Sequence, residues 1–396
     1  MNDELPITGA RYSNRVRLLQ ALLRHPARSR AELGRQLGLS RATVTALLNE
    51  LEQVGMVEQQ TADEDRPPAI GRPPLQVSLA RDAAFAVGLD FGHRHVRSAV
   101  CDLHGGIVAD QWAATEVDDH PVASLNLAER LTVAALAEAR VDRSQVIGVG
   151  AGLAAPVDST GGEVHADGIL SGWDGIEPAA ELEQRLGLAV QVENDANAGA
   201  MGEHLFGAGR GVGDMIYLRL SAGVGLGLIL GGRPYRGVTG VAGELGHIPT
   251  VENGLICRCG NRGCLETIAS PVAVADLLSR SRGERIALPQ LLELVRLGDR
   301  GARRAVADAG EAVGVAIAAT VNVLNPALVI IGGELAAAGE VLLGPIRAAV
   351  ERRAVVPAAQ AVQIVQGALG EHAEVLGAAA LPLARAPEAL ASRLAS

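Results

Sequence analysis

The stretch from Gly243 to Thr267 reads GELGHIPTVENGLICRCGNRGCLET and holds three of the four cysteines of the chain within eight residues. These are Cys257, Cys259 and Cys264, and His247 lies upstream of them in the same stretch. Three thiolates and one imidazole form a closed tetrahedral set, which is typical of structural zinc because no ligand position is left open. The pattern therefore predicts a zinc site, rather than buried free thiols beside a surface histidine.

Two acidic residues, Glu244 and Glu266, are interleaved with the predicted metal ligands. A carboxylate can accept hydrogen bonds from two neighbouring donors, so this pair suits the hydroxyl groups of a sugar. The same acids would also serve to orient the metal ligands through a second layer of hydrogen bonds. This stretch alone leaves both interpretations open.

The stretch also resembles the signature of the ROK family, which contains repressors, open reading frames of unknown role and sugar kinases. The resemblance rests on a GELGH segment followed by a CxCGxxGCxE segment, and this chain matches both. It implies that His247 and the three cysteines bind zinc, and that Glu244, His247 and Glu266 belong to a sugar pocket. It further implies an α/β fold, the two-lobed actin-like (ribonuclease H-like) sugar-kinase domain, over about residues 84–385.

The composition sets broad limits on the kind of protein. The chain has 396 residues, 48% of them hydrophobic but only 2% aromatic, which predicts two or three domains with aliphatic cores. A net charge of −10 argues against a protein that coats nucleic acid along its whole surface. No apolar run near 20 residues is free of charge, and the amino-terminal residues lack the pattern of a secretion signal. We therefore expect a cytoplasmic protein without a membrane span, and the cysteine usage agrees with a reducing compartment.

Basic charge is concentrated near the amino end, where eight arginines and a single acid lie between Arg11 and Arg41. Apolar spacing predicts helices over 13–24, 30–37 and 41 to about 54, with Ser29 and Ser40 as caps of the second and third. Strands beginning near 56 and 75 would flank a proline-rich wing at 61–74. These features predict an α+β winged helix-turn-helix domain over residues 1–80, with a protein-interaction module as the alternative.

In such a domain the start of the third helix enters the major groove, and an extended arginine of the wing can lie in the minor groove. Short hydroxyl side chains and arginines are suited to phosphates and base edges. The predicted DNA contacts are Arg30, Ser40, Arg41, Thr43, Thr45 and Arg72.

The larger domain shows strands alternating with helices, which indicates α/β layers. A buried strand over 84–92 opens it, and further units of strand, glycine-rich turn and helix are predicted at 216–230 and 328–334. A helix over 302–323 reads as core packing. We expect lobe one to span about 84–195 plus a C-terminal helix, and lobe two about 196–370, with ligand bound between them.

Two loops that hold ATP phosphates in kinases of the family are altered here. The turn Asp-x-Gly-Gly-Thr becomes Asp90-Phe91-Gly92-His93-Arg94, and the second loop carries Ala222 and Leu226 where threonine and glycine are expected. Phosphoryl transfer depends on positioning, so we doubt that ATP–Mg²⁺ binds productively, although an arginine can itself hold phosphate. The residues of this degraded nucleotide site are Asp90, Gly92, His93, Arg94, Ala222, Gly223 and Gly225.

Asp195 is retained in the segment Glu193-Asn194-Asp195-Ala196-Asn197, and it matches the general base of the kinases. Without ATP, Asp195 would be a vestigial base that binds the sugar together with Asn194 and Gly152. A bare carboxylate at this place would repel a phosphate, which favours an unphosphorylated sugar. The plainer alternative for Asp195 is a helix cap.

These features together predict a sugar-responsive DNA-binding regulator, most simply a repressor of carbohydrate genes, with a degraded ATP site. Its partners would be operator DNA, a sugar effector and further copies of the chain, as a homodimer or tetramer. The alternatives are an active hexose or N-acetylhexosamine kinase that carries a DNA-binding domain, and a scaffold whose amino-terminal module binds protein.

Overall fold

The computed structural model of the protein describes residues 9–24, 28–60, 75–158, 164, 170 and 172–394. Its amino-terminal part is a winged helix-turn-helix, as predicted. Ser29 caps the second helix in a capping box with Glu32, and Ser40 caps the third by accepting a hydrogen bond from the Thr43 amide. The first helix begins at Ala10, three residues before the predicted start. The predicted wing at 61–74 lies outside the described residues.

The helices of this head are α1 (Ala10–Arg24), α2 (Arg30–Leu37) and α3 (Arg41–Gln53). Its antiparallel strands are β1 (Arg28–Ser29), β2 (Val57–Gln60) and β3 (Gln76–Leu79), in the order β1-β3-β2. Each helix turns leucines inward, so the head has a core although it contains few aromatic residues.

Lobe one is built on a mixed sheet of five described strands in the order β6-β5-β4-β7-β8. The chain first makes an antiparallel meander and then adds two parallel strands, with helices covering the sheet. The elements are β4 (Phe85–Gly92), β5 (His95–Asp102), β6 (Ile107–Ala114), α4 (Pro121–Ala139), β7 (Val146–Leu153), α5 (Pro178–Leu186) and β8 (Val190–Asn194).

Lobe two repeats the same strand order, β11-β10-β9-β12-β13, so the two lobes are topological duplicates. Its elements are α6 (Asp195–Phe206), β9 (Met215–Leu220), β10 (Val224–Leu230), β11 (Arg233–Pro234), α7 (Glu266–Ala269), α8 (Pro271–Arg282), α9 (Leu288–Arg296), α10 (Arg300–Leu324), β12 (Leu328–Gly332), α11 (Glu340–Arg353), α12 (Val356–Ala361) and β13 (Gln363–Gln366).

The prediction of strand, turn and helix at 216–230 was wrong, because this segment is the antiparallel hairpin of β9 and β10. Gly225 and Gly227 alternate along the first half of β10, which leaves that part of one face of the strand without side chains. α6 packs directly on that face, where a β-carbon on Gly227 would lie 2.4 Å from the Ala196 carbonyl oxygen. At 328–334 the strand is followed by a short 3-10 turn, Glu334–Ala338, before α11 begins.

The last two helices, α13 (Ala373–Leu383) and α14 (Ala386–Arg393), return to the first half of the molecule. α13 lies on β4 and β7 of lobe one and crosses α6 at very short range. A β-carbon on Gly377 would lie 1.6 Å from the Ala198 carbonyl oxygen, so only glycine allows this crossing. α14 packs against α1, which joins the head to lobe one in a single apolar core.

Among the described residues, one helix, α10, has the length and apolar character needed to cross a membrane, and half of its most apolar window is buried. Its buried side chains, including the predicted Val306, Val313 and Ile317, belong to the core of lobe two. The apolar composition of α10 is therefore accounted for by packing, as predicted for 302–323.

We predict that Gly377→Ala destabilises the protein by about 1–3 kcal/mol, because the added methyl group forces α6 and α13 apart. The matched control is Gly301→Ala, a helical glycine whose new β-carbon would approach other atoms no closer than 3.4 Å. Calorimetric unfolding of both variants is the measurement. An unchanged transition for Gly377→Ala would show that the helices do not cross at this point.

Candidate functional site

His247, Cys257, Cys259 and Cys264 come together in the described structure, with their ligand atoms all within 4.8 Å of one another. The Cys259 and Cys264 sulfurs are 3.7 Å apart, and the Cys257 sulfur lies 3.5 Å from His247 Nδ1. Tetrahedral ligands at a Zn–S distance of about 2.3 Å would be separated by roughly 3.8 Å, so these spacings fit an ion held by three sulfurs and one nitrogen. The cluster can therefore hold a metal ion, and its four donors fill a tetrahedral shell.

The imidazole of His247 lies between this cluster and a polar cleft. Its Nδ1 faces the thiols, whereas its Nε2 lies 3.7 Å from Glu244 Oε2. When one ring nitrogen of a histidine is bound to a metal ion, the orientation of its other ring nitrogen is fixed as well. Metal at the cluster would thus orient one wall of the cleft.

The cleft brings together five of the six residues that were predicted to bind sugar, namely Asn194, Asp195, Glu244, His247 and Glu266. The sixth, Gly152, does not line it. Gly152 is paired with Asp90 and Glu193 inside the sheet of lobe one, where an added β-carbon would lie 3.7 Å from the Asp195 α-carbon, an ordinary contact. The wall at this level is formed by the residues that follow β7, Ala154 to Pro156.

Arg258 also lines the cleft, although it was not among the residues predicted to do so. It lies between two metal-cluster cysteines, and its Nε and Nη2 donate to the two oxygens of Glu266 at 3.0 and 3.3 Å. A β-carbon on Gly223 would lie 2.5 Å from Glu266 Oε2, so this glycine allows the pair to approach the loop. The loop over residues 244–266, called the metal loop from here on, therefore contributes a cation as well as carboxylates to the cleft.

Asp195 is not the bare carboxylate that the sequence argument assumed. It is buried, and its Oδ2 forms an ion pair with Arg219 Nη1 at 2.8 Å, while Oδ1 accepts a hydrogen bond from the Ala196 amide. The helix cap is Asn194, so the capping alternative for Asp195 was also wrong. Because Arg219 offsets its charge, repulsion of a phosphate by Asp195 alone is weaker than expected.

Asn197 is a further cleft residue that the analysis of the sequence missed. It is 3% exposed, its amide nitrogen donates to Glu193 at 3.1 Å, and its carbonyl oxygen has no hydrogen-bond partner. Buried polar atoms are nearly always paired, so this oxygen is a candidate acceptor for a ligand hydroxyl. Its position one helical turn after Asn194 was the available signal.

The carboxylates of the cleft influence one another. Burial, followed by the charges of Asp195 and Glu266, raises the pKa of Glu244 to about 7. Forty per cent of the Glu244 side chain is nevertheless exposed, and water at that face screens part of the repulsion. Asp195, Glu244 and Glu266 are thus close enough to influence one another. A single ligand with several hydroxyl groups could therefore contact all three carboxylates.

A second cavity of about 680 Å³ opens between the lobes. It is lined by four of the predicted nucleotide residues, Asp90, His93, Arg94 and Ala222. Gly223 and Gly225 line the polar cleft instead, and Gly92 lies beneath the ring of His95. Residues of both altered nucleotide loops therefore border this cavity, and the side chains that replace the kinase residues leave it open.

Side chains of the protein already engage the polar end of this cavity. His95 Nε2 lies 2.9 Å from Asp90 Oδ2, and His93 Nδ1 lies 2.8 Å from Asp118 Oδ1. Burial would raise the pKa of Asp90, but the hydrogen bond and charge of His95, together with Arg219 and Arg97, hold it below its ordinary value. Asp90 is thus occupied by internal partners where a kinase would present it to a nucleotide.

The predicted DNA contacts are unequal in the structure. Ser40 and Arg41 are exposed at the start of α3, and Thr43 and Thr45 are half-buried. The guanidinium of Arg30 is held by α3, 3.4 Å from Asn49 Oδ1 and 3.8 Å from Glu52 Oε2. Arg72 lies outside the described residues.

Comparison with known proteins identifies two matching families. The ROK family model matches residues 86–385, and the MarR family model matches residues 7–66. The xylose repressor of Bacillus subtilis (strain 168) is 29% identical over 364 residues, which cover 92% of this chain and 93% of that protein.

Two solved structures also differ in whether they match the whole chain or the larger domain alone. A ROK family transcriptional regulator, described as a homologue of the E. coli MLC protein, superposes with a TM-score of 0.77 at 26% identity and covers 97% of this chain and 98% of its own. A ROK family glucokinase from Streptomyces griseus, solved with glucose and AMPPNP, gives 0.68 at 32% identity. It covers 99% of its own chain but 75% of this one.

We predict that Cys259→Ser binds metal at least about 100-fold more weakly, since loss of outer partners of a metal ligand already costs roughly 10–100-fold. Thermal stability and affinity for a free sugar should fall together, because the same loop aims His247 and Arg258. Elemental analysis and calorimetry measure this. Cys101→Ala, which removes a buried thiol outside the cluster, should keep its metal. Full metal content in Cys259→Ser would contradict the assignment.

Proposed function

This chain belongs to the ROK family, and on that premise we propose that it is a sugar-responsive transcriptional repressor that acts on operator DNA. The observation that carries the proposal is the extent of similarity. The repressor and regulator matches span head and sugar domain alike, whereas the glucokinase match covers only three quarters of this chain. A DNA-binding head and a sugar cleft in one chain are the two parts that such a regulator needs.

We assign the polar cleft as the effector site. Glu244, His247 and Glu266 would bind sugar hydroxyls from the metal loop, and Asn194 and Asp195 would bind them from the start of α6. The ion would be zinc with a structural role, because the four donors complete its shell and leave no position for a substrate. Bound zinc would fix the loop that carries these side chains.

We propose that the effector is an unphosphorylated sugar. Asp195 is paired with Arg219, so this preference cannot rest on Asp195 alone. It rests on the cleft as a whole, in which three carboxylates face two arginines, and Arg219 is shared with Glu374 outside the cleft. At a pH above the Glu244 pKa of about 7, where all three carboxylates are ionised, an added phosphate dianion would therefore meet a net negative surface.

For the head we propose that α3 enters the major groove, with Arg41 as the main contact and Ser40, Thr43 and Thr45 beside it. Arg30 would contact a phosphate only after leaving Asn49 and Glu52. Arg72 keeps its proposed place in the minor groove. The protein would act in the cytoplasm as a dimer or larger assembly, because one head makes few contacts.

Sugar and operator would favour different placements of the two lobes. Each would then weaken the binding of the other by the same factor, as linkage requires. Derepression follows when the sugar is abundant, since the sugar-bound form holds DNA less tightly.

The second candidate is an active sugar kinase with a DNA-binding head, and the open cavity of about 680 Å³ favours it. Against it stand the internal partners of Asp90 and Asp195. Asp90 is hydrogen-bonded to His95 and Asp195 is paired with Arg219, at the place where a kinase uses these carboxylates on its substrates.

We expect Arg41→Ala to weaken operator binding by about 1–3 kcal/mol, as loss of a base contact does, without change in sugar affinity. The DNA would be a fragment selected by the wild-type protein from a random library, and binding would be followed by gel shift. Arg347→Ala removes an arginine paired with Glu340 on α11, far from the head, and serves as the control. Equal DNA binding by all three proteins would exclude α3 as the reading helix.

Calorimetric titration should detect binding of at least one free sugar among D-xylose, D-glucose, D-mannose and N-acetyl-D-glucosamine, and no binding of ATP–Mg²⁺. The 6-phosphate of a hexose that binds should be the weaker ligand. Asp195→Asn should lower sugar affinity about tenfold, because hydrogen bonds to a charged acceptor are the stronger ones. ATP binding that tightens when sugar is present would instead establish the kinase.

A further inference from the structure

Arg219 occupies an unusual position, buried at the junction of the two lobes. It is 7% exposed, and it projects from β9 of lobe two between two carboxylates. Nη1 lies 2.8 Å from Asp195 Oδ2, and Nε lies 3.0 Å from Glu374 Oε1. Arg219 therefore joins a predicted sugar-binding residue to the first turn of α13.

The contact with Glu374 is shared. The Tyr217 hydroxyl donates to the same carboxylate oxygen at 2.9 Å, and Glu374 is itself buried. Burial acts to lower the pKa of Arg219, but the charges of Asp195, Glu374 and Asp90 outweigh it and raise that pKa above its ordinary value. The guanidinium stays charged, so its partners must remain paired with it or leave a buried charge uncompensated.

α13 cannot move independently of lobe one. Its carbonyl groups at Val375 and Ala378 lie against Gly88 of β4 and Gly150 of β7, where added β-carbons would come within 2.0 and 1.8 Å. α13 also touches α6 of lobe two at Gly377, so a turn of α13 about that crossing is a turn of the whole of lobe one relative to lobe two. Close-packed elements move as bodies because their interiors do not deform continuously.

α14 follows α13 after two residues and forms the surface on which the head rests. Arg15 Nη1 of α1 donates to the Ala391 carbonyl oxygen at 3.2 Å, and its Nη2 contacts Glu50 of α3 at 3.1 Å. Gln20 donates to Glu388 at 3.0 Å. Arg15 therefore links α14 directly to the helix that is proposed to read DNA.

From these contacts we propose that Arg219 is a positioning residue that couples the sugar cleft to the DNA-binding head. A sugar hydroxyl that donates to Asp195 changes the contact of this carboxylate with Arg219. The geometry of the ion pair between Arg219 and Glu374 then changes as well. Because Glu374 lies on α13, this change moves lobe one relative to lobe two, and α14 and the head move with lobe one. This inference rests on the proposed function, because it requires sugar at Asp195 and DNA at α3.

The decisive variant is Glu374→Gln. Glu374 lines the cavity between the lobes and not the sugar cleft, so sugar affinity should stay within about threefold. The amide keeps the shape and the Tyr217 contact but loses the charge that binds Arg219. Arg219→Met is the second variant, and it should lower sugar affinity as well because Arg219 contacts Asp195.

Arg236→Met is the matched control. Arg236 also pairs with a buried carboxylate beside the cleft, Glu193, which lies on β8 and not on α13. Loss of that pair tests whether any buried ion pair in this region gives the same effect. Each variant is compared as the full chain with metal bound.

The quantity measured is the ratio of operator affinities without and with a saturating free sugar that the wild-type protein binds. We expect a ratio of about fivefold or more for the wild-type protein and Arg236→Met, and a ratio near one for Glu374→Gln and Arg219→Met. Hydrogen exchange of residues 373–393 should respond to sugar in the first two proteins only.

The outcomes separate this inference from the proposed function. If the wild-type protein binds sugars but none of them changes its affinity for the operator, the proposed function is refuted, and this inference is refuted with it. A wild-type protein that responds, together with a Glu374→Gln variant that responds equally, refutes only the role of Arg219. Equal loss of response in Arg236→Met would also refute it, since general destabilisation would then be the cause.

Discussion

Burial of charge at the junction of the lobes is the constraint on which the rest of this structure depends. Asp90, Asp195 and Glu374 are each at most 5% exposed, and carboxylates in such surroundings must be paired. His95 pairs with the first, and Arg219 pairs with the other two. Charges that a kinase would direct to its nucleotide and sugar are here matched within the protein. This internal pairing supports the proposal that the cleft recognises a ligand without acting on it chemically.

The elements of the two lobes position the metal loop and the DNA-binding head around that junction. The loop contributes His247, Glu266 and Arg258 to one side of the cleft, whereas α6 contributes Asn194 and Asp195 to the other. Lobe one also lines the cleft, through Ala154 to Pro156 after β7 and through Asn194, the last residue of β8. A ligand in the cleft thus contacts both lobes at once, which gives it a means of favouring one lobe arrangement over another. The head rests on α14, and α14 is continuous with the helix that meets Arg219. Sensing and DNA binding are connected through packed elements rather than through a loose linker.

Much of this organisation was predictable because it depends on local spacing. Caps at Ser29 and Ser40, the apolar face of α10 and the donor set of the metal cluster are written into short stretches of residues. The strand hairpin at 215–230 was misread because its glycines look like a turn, whereas they serve to admit α6. Gly152 pairs within the sheet of lobe one and does not line the cleft, and a glycine next to a ligand and a glycine within a sheet look alike in one dimension.

The sequence by itself determined the family, the two kinds of domain and the residue types that can hold metal and sugar. These follow from motifs in which every member lies within about 25 residues of the others. Only the tertiary structure decided that Asp195 is paired, that Arg258 and Asn197 face the cleft, and that Arg15 serves the contact of α1 with α14. The first and the last of these facts depend on contacts between residues that are 24 and 376 positions apart. Nothing in the local spacing of a chain records which distant charge will meet another, because that is fixed by how the sheets and helices pack.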